Sequence, residues 1–241
     1  MEIRAFIFDM NGTMIDDMQY HARAWYDILN NDLNAGLTWD EVKVQMYGKN
    51  GEVLDRIFGE GHFPSERVEE LSMEKERRYQ KSYLPDIALL KGFNEFLEKS
   101  EQAGIPMAIG TAAIPFNIDF ILDNLHLRHF FKAIVSAEDV AASKPDPETF
   151  TKCAELLQVA PENCLVFEDA PKGVEAAQNA GMKAVVLTTM HTKEEFEKYD
   201  NVLSFIHDYS EVNPDDFLIH SNSESFHLRA AVVLPPPLFQ G

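Results

Sequence analysis

AFIFDMNGT, at residues 5–13, is the stretch of sequence that decides the fold. Its first four residues are all apolar, which is typical of a β-strand buried on both faces of a sheet. Asp9 directly follows that strand, at the end where open α/β sheets carry their chemistry. Gly12 allows a sharp turn, and its neighbours Asn11 and Thr13 supply polar atoms. The stretch predicts a buried strand that leads into a chemically active turn.

The turn has a competing interpretation as a β-hairpin, because Asn-Gly is a strong hairpin signal. A hairpin needs a second, alternating strand after the turn. The residues that follow, MIDDMQYHARAW at 14–25, have helical character instead. We therefore favour a strand, a turn and then a helix.

Composition limits the class of protein. The chain has 241 residues, of which 45% are hydrophobic, as in an ordinary soluble protein of one large domain or two small ones. Its apolar stretches are too short to span a membrane, and a strand that begins by Ile3 leaves no room for a signal peptide. Cys153 and Cys164 are interpreted as buried small hydrophobes rather than a disulfide or a metal site. We expect a cytoplasmic protein.

The formal net charge of −19 bears on the partners. Such a surface repels nucleic acids and anionic membranes, so neither is expected as a partner. A small anionic substrate remains compatible with this charge if a metal ion or a few well-placed lysines and arginines bind it.

Short apolar segments alternate with helical segments along most of the chain. The further strands are predicted at residues 106–111, 133–136, 165–168, 184–188 and 202–206. The helices between them are predicted at residues 94–103, 116–125, 147–157, 171–180 and 193–198. This alternation predicts an α/β fold in which helices cover a Rossmann-like parallel sheet in three layers.

Two segments depart from the alternation. Residues 17–89, here called the cap, contain several helical patterns, notably a charged one at 64–83, and lack a convincing strand. An insert at this point lies over the carboxyl edge of the sheet and can cover a site there. The predicted core is therefore residues 1–16 and 90–218. Residues 219–241, with three successive prolines, are interpreted as a flexible or vector-derived tail.

Polar residues follow three further predicted strands. Thr111 ends the second strand, Lys144 follows the third, and Glu168 and Asp169 end the fourth. Each could individually be a capping or surface residue. In a parallel sheet, however, these positions meet Asp9 at one edge. Polar residues at four strand ends, in this order, predict an active site.

These residue types fit phosphoryl transfer. Asp9 and Asp169, with backbone carbonyls and water, make an oxygen site suited to Mg²⁺. A carboxylate beside such a metal ion can attack phosphorus and form an aspartyl-phosphate. Thr111 and Lys144 can hold the phosphoryl oxygens, and positioning with charge compensation is most of what the reaction requires.

The sequence resembles the haloacid-dehalogenase-like superfamily over about residues 3–218. The matching motifs are Asp9–Thr13, Thr111, Lys144, and Glu168-Asp169 with Gly173. Within the superfamily the chain is most similar to the beta-phosphoglucomutase and sugar-phosphate phosphatase branch, which has a helical cap after the first motif. The resemblance implies a Mg²⁺-dependent enzyme that acts on a small phosphorylated metabolite, and we expect a monomer.

The resemblance also implies roles for individual residues. Asp9, Asn11, Thr111 and Lys144 take the catalytic positions, with Asp9 as the nucleophile. The Mg²⁺ site is assigned to Asp9, the carbonyl of Asn11, Asp169 and the nearby Glu168. The candidate substrate-binding residues are His21, Lys49 and Lys75 in the cap, together with Ala112 after the second motif.

Asn11 is the largest departure from the family pattern, which has an aspartate there as general acid and base. An amide cannot exchange that proton, and the loss of such a group costs about 10²- to 10⁴-fold in rate. Three interpretations stay open: a slow enzyme, a proton supplied by another group such as His21 or Asp16, or a protein that binds phosphorylated ligands without turnover.

The cap contains a second departure. Gly51 stands where beta-phosphoglucomutases have an arginine for the second phosphate, with Lys49 as a possible substitute. Residues 113–115, AIP, replace the usual polar residues. These differences favour a phosphohydrolase over the mutase, which is the runner-up. A dehalogenase, which would not need Mg²⁺, and a weakly catalytic ligand-binding protein are the remaining alternatives.

Overall fold

The structure, a computed structural model, describes residues 2–218, so the predicted tail lies outside it. The strands are β1 Ala5–Phe8, β2 Met107–Gly110, β3 Ala133–Val135, β4 Cys164–Glu168, β5 Lys183–Leu187 and β6 Val202–Ile206. They form one sheet in the order β3-β2-β1-β4-β5-β6, and every neighbouring pair is parallel. The prediction of a Rossmann-like parallel sheet is confirmed.

Eight α-helices accompany the sheet within residues 2–218. They are α1 Met18–Asp27, α2 Trp39–Lys43, α3 Asn50–Phe58, α4 Ser65–Tyr83, α5 Phe93–Gln102, α6 Pro115–Asn124, α7 Glu148–Leu157 and α8 Pro171–Asn179. A π-helical turn, Ile28–Asp32, continues α1. Short 3-10 turns lie at Leu84–Asp86, Arg128–Phe130, Pro161–Asn163, Lys193–Phe196, Tyr209–Glu211 and Pro214–Asp216.

Strand β1 shows how the sequence creates the three layers. Successive side chains of a strand point to opposite faces, and all four of this strand are buried. Phe6 and Phe8 pack in a cluster with residues of α5 and α6. Ala5 and Ile7 pack in a second cluster with residues of α7 and α8. The unbroken apolar run at residues 5–8 therefore reflects helices on both faces of the sheet.

The strand order positions the site. β1 lies between β2 and β4, so the strand order runs outward in opposite directions on its two sides. Open α/β sheets bind ligands beside such a reversal of strand order. The N–H of Asp9 donates to the carbonyl of Phe167 at 3.0 Å, which continues the pairing of β1 and β4 by one residue. This bond fixes Asp9 against the end of β4.

Residues 193–198 do not form the predicted α-helix. The segment is a 3-10 turn, Lys193–Phe196, that begins with a hydrogen-bonded capping box at Thr192. Only Phe196 and Tyr199 are buried within residues 192–200. That spacing gives too few apolar contacts to stabilise a longer amphipathic helix.

The cap is helical, as predicted. Helices α1–α4 enclose a small apolar cluster of Trp25, Ile28, Leu29, Val42, Val53, Leu54 and Leu71. The two ends of this segment meet, because Ile15 forms an antiparallel bridge with Leu89 and the N–H of Leu90 donates to the Met14 carbonyl at 2.9 Å. The division at residues 16/17 and 89/90 remains a prediction.

None of the helices within residues 2–218 combines sufficient length with sufficient hydropathy to cross a bilayer.

Candidate active site

A cavity of about 630 Å³ lies between the carboxyl ends of the strands and the cap. All ten residues proposed from the sequence line it: Asp9, Asn11, His21, Lys49, Lys75, Thr111, Ala112, Lys144, Glu168 and Asp169. The structure therefore brings residues from the first strand, the cap and three later strand ends to one place.

Lys144 joins two of the carboxylates at the base of the cavity. Its Nζ atom lies 2.7 Å from Oδ1 of Asp9 and 2.8 Å from Oε1 of Glu168. Burial alone would lower the pKa of this ammonium, but the two carboxylates outweigh burial and raise it. Lys144 is therefore a permanent positive charge beside Asp9.

Glu168 is held from both sides. Its Oε2 atom accepts the backbone N–H groups of Asp169 and Ala170, each at 2.7 Å, while Oε1 accepts Lys144. A Cβ atom at Gly173 would overlap this carboxylate, which explains the glycine there. Glu168 is thus fixed in place, with both oxygens engaged.

Three carboxylates crowd the site. Single oxygens of Asp9, Glu168 and Asp169 lie within 4.8 Å of one another, and all three residues are buried. Burial raises the pKa of Asp9 to about 7, with Lys144 opposing the shift and Glu168 adding to it. Burial, followed by the charges of Glu168 and Asp9, raises the pKa of Asp169 well above its usual value. One lysine does not balance this cluster.

Thr111 lies at the end of β2. Its N–H donates to the Val135 carbonyl at 3.0 Å, and its hydroxyl accepts the N–H of Ala113 at 3.1 Å. The hydroxyl proton remains available for a ligand oxygen. Ala112, between them, is exposed in the wall of the cavity.

Asn11 turns its side chain toward the cap. Its Nδ2 atom donates to Oδ2 of Asp17 at 2.6 Å and lies 3.1 Å from Nε2 of His21. The same Asp17 oxygen accepts the hydroxyl of Tyr79 at 2.5 Å. The half-buried amide is therefore already engaged in a hydrogen-bond network with the cap.

The cap supplies the rest of that network. Nζ of Lys75 lies 2.6 Å from Nδ1 of His21 and 3.0 Å from both oxygens of Glu76. Glu76 also accepts the side-chain amides of Asn50 and Asn117, at 2.7 and 2.6 Å. Burial lowers the pKa of Lys75, and the surrounding donors keep the pKa of Glu76 low despite its burial.

The structure separates the two groups proposed as substitutes for the missing acid. His21 is buried in the cavity wall and stacks on Tyr79 with 3.7 Å between ring centroids. Asp16 is exposed and does not line the cavity.

The sequence model of one protein family, the haloacid dehalogenase-like hydrolases, matches residues 3–181 of this chain. The chain belongs to this family. Residues 3–181 contain every candidate residue of the cavity, from Asp9 to Asp169. The resemblance proposed from the motifs is thus confirmed.

Individual members of the family are similar over most of their length. Fructose-1-phosphate phosphatase YqaB of Escherichia coli is 34% identical over 180 residues, which are 74% of this chain and 93% of its own. The beta-phosphoglucomutase of Bacillus subtilis is 33% identical over 188 residues, 76% of this chain and 82% of its own. A family IA hydrolase of Entamoeba histolytica superposes with a TM-score of 0.81 at 26% identity, covering 89% of this chain and 97% of the other.

Lys49 has a partner outside the cap. Its Nζ atom donates to the carbonyl of Val140, in the core, at 2.8 Å. Gly51, matched from the sequence to an arginine of the mutases, packs closely against α4, and a Cβ atom there would lie 3.3 Å from Cγ1 of Val68. Close helix packing therefore accounts for this glycine.

The donor set fits a hard divalent cation such as Mg²⁺. All the candidate ligands are oxygens, and the uncompensated negative charge of Asp9, Glu168 and Asp169 is what such an ion neutralises. Gly12 has a φ of +75°, and a Cβ atom there would overlap the carboxylate of Asp169. Because residue 12 has no side chain, the backbone of the turn after β1 lies directly beside the carboxylate of Asp169.

This cluster predicts an unusual effect of pH on stability. The folded-state pKa of Asp9 is about 7 against 3.8 for an ordinary aspartate, and that of Asp169 is also raised. The folded protein then binds more protons than the unfolded one between these values, so the cluster's contribution to the free energy of unfolding falls as pH rises through that window. We expect Asp169→Asn, without divalent cations, to raise the Tm by about 3–8 °C at pH 7.5 and by less at pH 5.

The predicted change in Tm is checked by thermal unfolding of the wild type and of Asp169→Asn at both pH values, with and without Mg²⁺. Mg²⁺ should stabilise the wild type and leave the variant nearly unchanged. Asp55→Asn, at an exposed position of α3, is the control for the change in charge. A lower Tm for Asp169→Asn at pH 7.5 without metal would show that the carboxylates do not repel one another.

Proposed function

We propose that this chain is a Mg²⁺-dependent phosphohydrolase that removes phosphate from a small phosphomonoester, a sugar phosphate above all, through a phosphoenzyme at Asp9. The observation that carries the proposal is the contact of Lys144 with Asp9 and Glu168 at the base of the cavity. The lysine orients a carboxylate and leaves a fixed positive charge where phosphoryl oxygens would lie.

The reaction follows from these positions. A carboxylate oxygen of Asp9 attacks phosphorus, and the bond to the ester oxygen breaks with its electron pair on that oxygen, which takes up a proton. Water then attacks phosphorus and gives up one proton, and the bond between phosphorus and the Asp9 oxygen breaks with its electron pair on the carboxylate, which releases phosphate and restores Asp9. Lys144, the Thr111 hydroxyl and the Ala112 N–H bind the phosphoryl oxygens. Mg²⁺, held by Asp9, Asp169 and the Asn11 carbonyl, would neutralise the charge that develops there.

Glu168 is assigned a supporting role at this site. Both of its oxygens already accept hydrogen bonds from Lys144 and from two backbone N–H groups. We infer that it orients the lysine and adds negative charge near the cation.

Asn11 limits the rate in this proposal. The amide has no proton to donate to the leaving oxygen, and its Nδ2 atom is already bonded to Asp17. His21 is the side chain we propose as its replacement, because it lies in the cavity wall with Nε2 at 3.1 Å from that amide nitrogen. We therefore propose a slow hydrolase.

The distribution of lysines favours a substrate with one phosphate. Five lysines line the cavity in the described part of the chain: Lys43, Lys49, Lys75, Lys144 and Lys172. Lys144 lies at the carboxylates, Lys75 is bonded to Glu76, and Lys49 is bonded to a core carbonyl. At these three lysines a second phosphate would have to compete for existing bonds. Of the other two, Lys172 pairs with Glu175 at 3.3 Å and Lys43 is exposed.

The remaining wall is largely apolar. It includes Met18, Trp25, Met46, Val53 and Met73. An uncharged leaving group fits such a wall better than a second anion does, because burying an unpaired charge is costly. This supports a phosphatase over a mutase, which must hold two phosphates at once.

Phosphate release from a substrate panel, with and without Mg²⁺, tests the proposal. The panel is fructose 1-phosphate, glucose 6-phosphate, β-glucose 1-phosphate and fructose 1,6-bisphosphate. We expect Mg²⁺-dependent release, with the monophosphates at least about 10-fold better in kcat/KM than the bisphosphate. That ratio corresponds to about 1.4 kcal/mol of transition-state binding.

Each alternative predicts a different result. Glucose 6-phosphate formed from β-glucose 1-phosphate with little free phosphate indicates a mutase. Activity toward a haloacid without metal indicates a dehalogenase. Mg²⁺-dependent binding of sugar phosphates with no product and no phosphoenzyme indicates a ligand-binding protein. This is the second candidate function, because the amide of Asn11 has no proton to donate and is already bonded to Asp17.

A further inference from the structure

We propose that Glu52 of the cap, through its hydrogen bond to Ser143, is a positioning residue for Lys144, so that closure of the cap orders the lysine. This inference rests on the proposed function of Lys144. It goes beyond that function because it connects the cap to the core's charged group.

Two contacts join the cap to the loop that carries Lys144, here called the lysine loop, residues 136–144. The hydroxyl of Ser143 donates to Oε1 of Glu52 at 2.9 Å, and Nζ of Lys49 donates to the carbonyl of Val140 at 2.8 Å. Both contacts are partly buried, and each joins residues 91 positions apart. They lie only one turn of helix from each other on the cap.

The cap side of this contact is ordered by its own bonds. Oε2 of Glu52 accepts the N–H of Lys49 at 2.9 Å, and a Cβ atom at Gly48 would overlap the Glu52 carboxylate. Arg56 donates to the carbonyls of Gln45 and Tyr47, both at 2.7 Å, and its guanidinium lies 3.8 Å from the centre of the Tyr47 ring. The carboxylate of Glu52 is thus aimed at the core by the cap itself.

The core side is also ordered. Oε2 of Glu148 accepts the N–H groups of Ala141 and Ala142, at 2.7 and 3.3 Å. The N–H of Ser136 donates to Asp139 at 2.7 Å. These bonds fix the loop up to residue 142. Beyond it, the Ser143 carbonyl accepts the N–H of Asp146 at 3.0 Å, and the Pro145 carbonyl accepts Nδ2 of Asn179 at 3.0 Å. The Ser143 side chain is instead held by the cap, through Glu52.

Ser143 is therefore the point at which the cap acts on the lysine. One peptide bond separates it from Lys144, whose Nζ atom must stay within hydrogen-bond distance of both Asp9 and Glu168. When the cap moves away, the Ser143 hydroxyl loses its charged acceptor, so the backbone before the lysine keeps its bond to Asp146 but loses its tether to the cap. Lys144 would then be fully ordered only with the cap closed over a substrate.

Ser143→Ala tests this, because it removes one hydroxyl from the core and leaves the fold of the cap intact. We expect kcat to fall about 5- to 20-fold with KM changed less than about 3-fold, as for loss of a hydrogen bond to a charged group. Ser143→Thr keeps the hydroxyl and should retain kcat within about 3-fold. Glu52→Ala should cost no more in combination with Ser143→Ala than alone, because the two act through one bond.

The matched control breaks a different contact between cap and core. Nε2 of Gln80 donates to the Phe116 carbonyl and to Oδ1 of Asn117, each at 3.0 Å, away from the lysine loop. Gln80→Ala should therefore leave kcat unchanged. An equal fall in kcat for Gln80→Ala and Ser143→Ala would overturn the proposal, since general loosening of the cap would then explain both.

A second measurement does not depend on turnover. Amide hydrogen exchange across residues 138–146 should be faster in Ser143→Ala and in Glu52→Ala than in the wild type, and unchanged in Gln80→Ala. Unchanged exchange in both loop variants overturns the inference. If the wild type releases no phosphate from any substrate but the exchange result is as expected, the proposed function fails while the contact between cap and loop stands.

Discussion

Asn11→Asp is expected to raise the rate of phosphoester hydrolysis by about 10²- to 10⁴-fold, the usual value of a general acid and base. The new carboxyl would lie beside Oδ2 of Asp17, which is 2.6 Å from the present amide nitrogen, and next to His21. One of these two carboxyls, that of Asp17, is fully buried, and at that distance their mutual repulsion favours retention of one proton between them. That proton is then available to the leaving oxygen. Initial rates of phosphate release at saturating Mg²⁺ measure the effect.

Two controls accompany this variant. Asn11→Ala removes the amide without adding an acid and should not increase the rate. Asn11 precedes Gly12, a pair prone to deamidation because glycine does not hinder attack by its nitrogen, so the mass of the peptide 5–23 must be checked in every active sample. Equal rates for wild type and Asn11→Asp, with an unmodified peptide, would mean that another group already supplies the proton.

Asp9→Asn is expected to abolish turnover, with a loss of about 10⁴- to 10⁶-fold, as for removal of a catalytic nucleophile. The amide keeps the shape of the side chain but cannot attack phosphorus. The variant is best made together with Asn11→Asp, so that the starting rate is high. Trapping the acid-stable phosphoenzyme from a labelled monophosphate gives an independent measurement, and the label should disappear with the rate.

Asp16→Asn, in the same background, is the matched control for this loss. Asp16 belongs to the same turn but is exposed and does not line the cavity. Its replacement should change the rate less than about 2-fold, because surface substitutions away from a site have small effects. A phosphoenzyme that persists in Asp9→Asn would place the nucleophile elsewhere.

The core of the site could be predicted from the sequence because its signals are local. Asp9 and Thr111 directly follow short apolar strands, Glu168 and Asp169 lie at the end of a third, and Lys144 lies in the loop after a fourth. A parallel sheet brings such ends together whatever the details of packing. Four local sequence patterns, together with the rule that parallel strands end at one edge of a sheet, were therefore enough to predict that these residues lie close together.

The hydrogen-bond network of the cap could not be predicted in the same way. Asp17, Tyr79, Glu76 and Asn117 meet only when α1, α4 and α6 pack against one another. The charge-rich sequence of α4 contains one weak indication of a buried face. Leu71, Lys75, Tyr79 and Tyr83 are spaced four residues apart, and in the structure all four are buried. A lysine on such a stripe is a candidate for a buried, paired charge.

Lys49 shows the same limit for a single residue. The sequence predicts a substrate ligand, and the residue does line the cavity, but its bond to the Val140 carbonyl depends on how the cap rests on the core. A lysine that bonds another part of the fold and a lysine that binds an anionic ligand can have the same local sequence, so the sequence alone does not distinguish them.

The junction of Ile15 with Leu89 has a consequence for how such a protein can change over time. Entry and exit of the helical segment lie side by side and are bonded to each other. A segment whose ends meet can be lengthened, shortened or exchanged while the sheet keeps its register, which is the geometry that tolerates insertion. If the proposed function holds, the helical segment that covers the cavity can therefore be replaced without changing the sheet that carries Asp9 and Lys144.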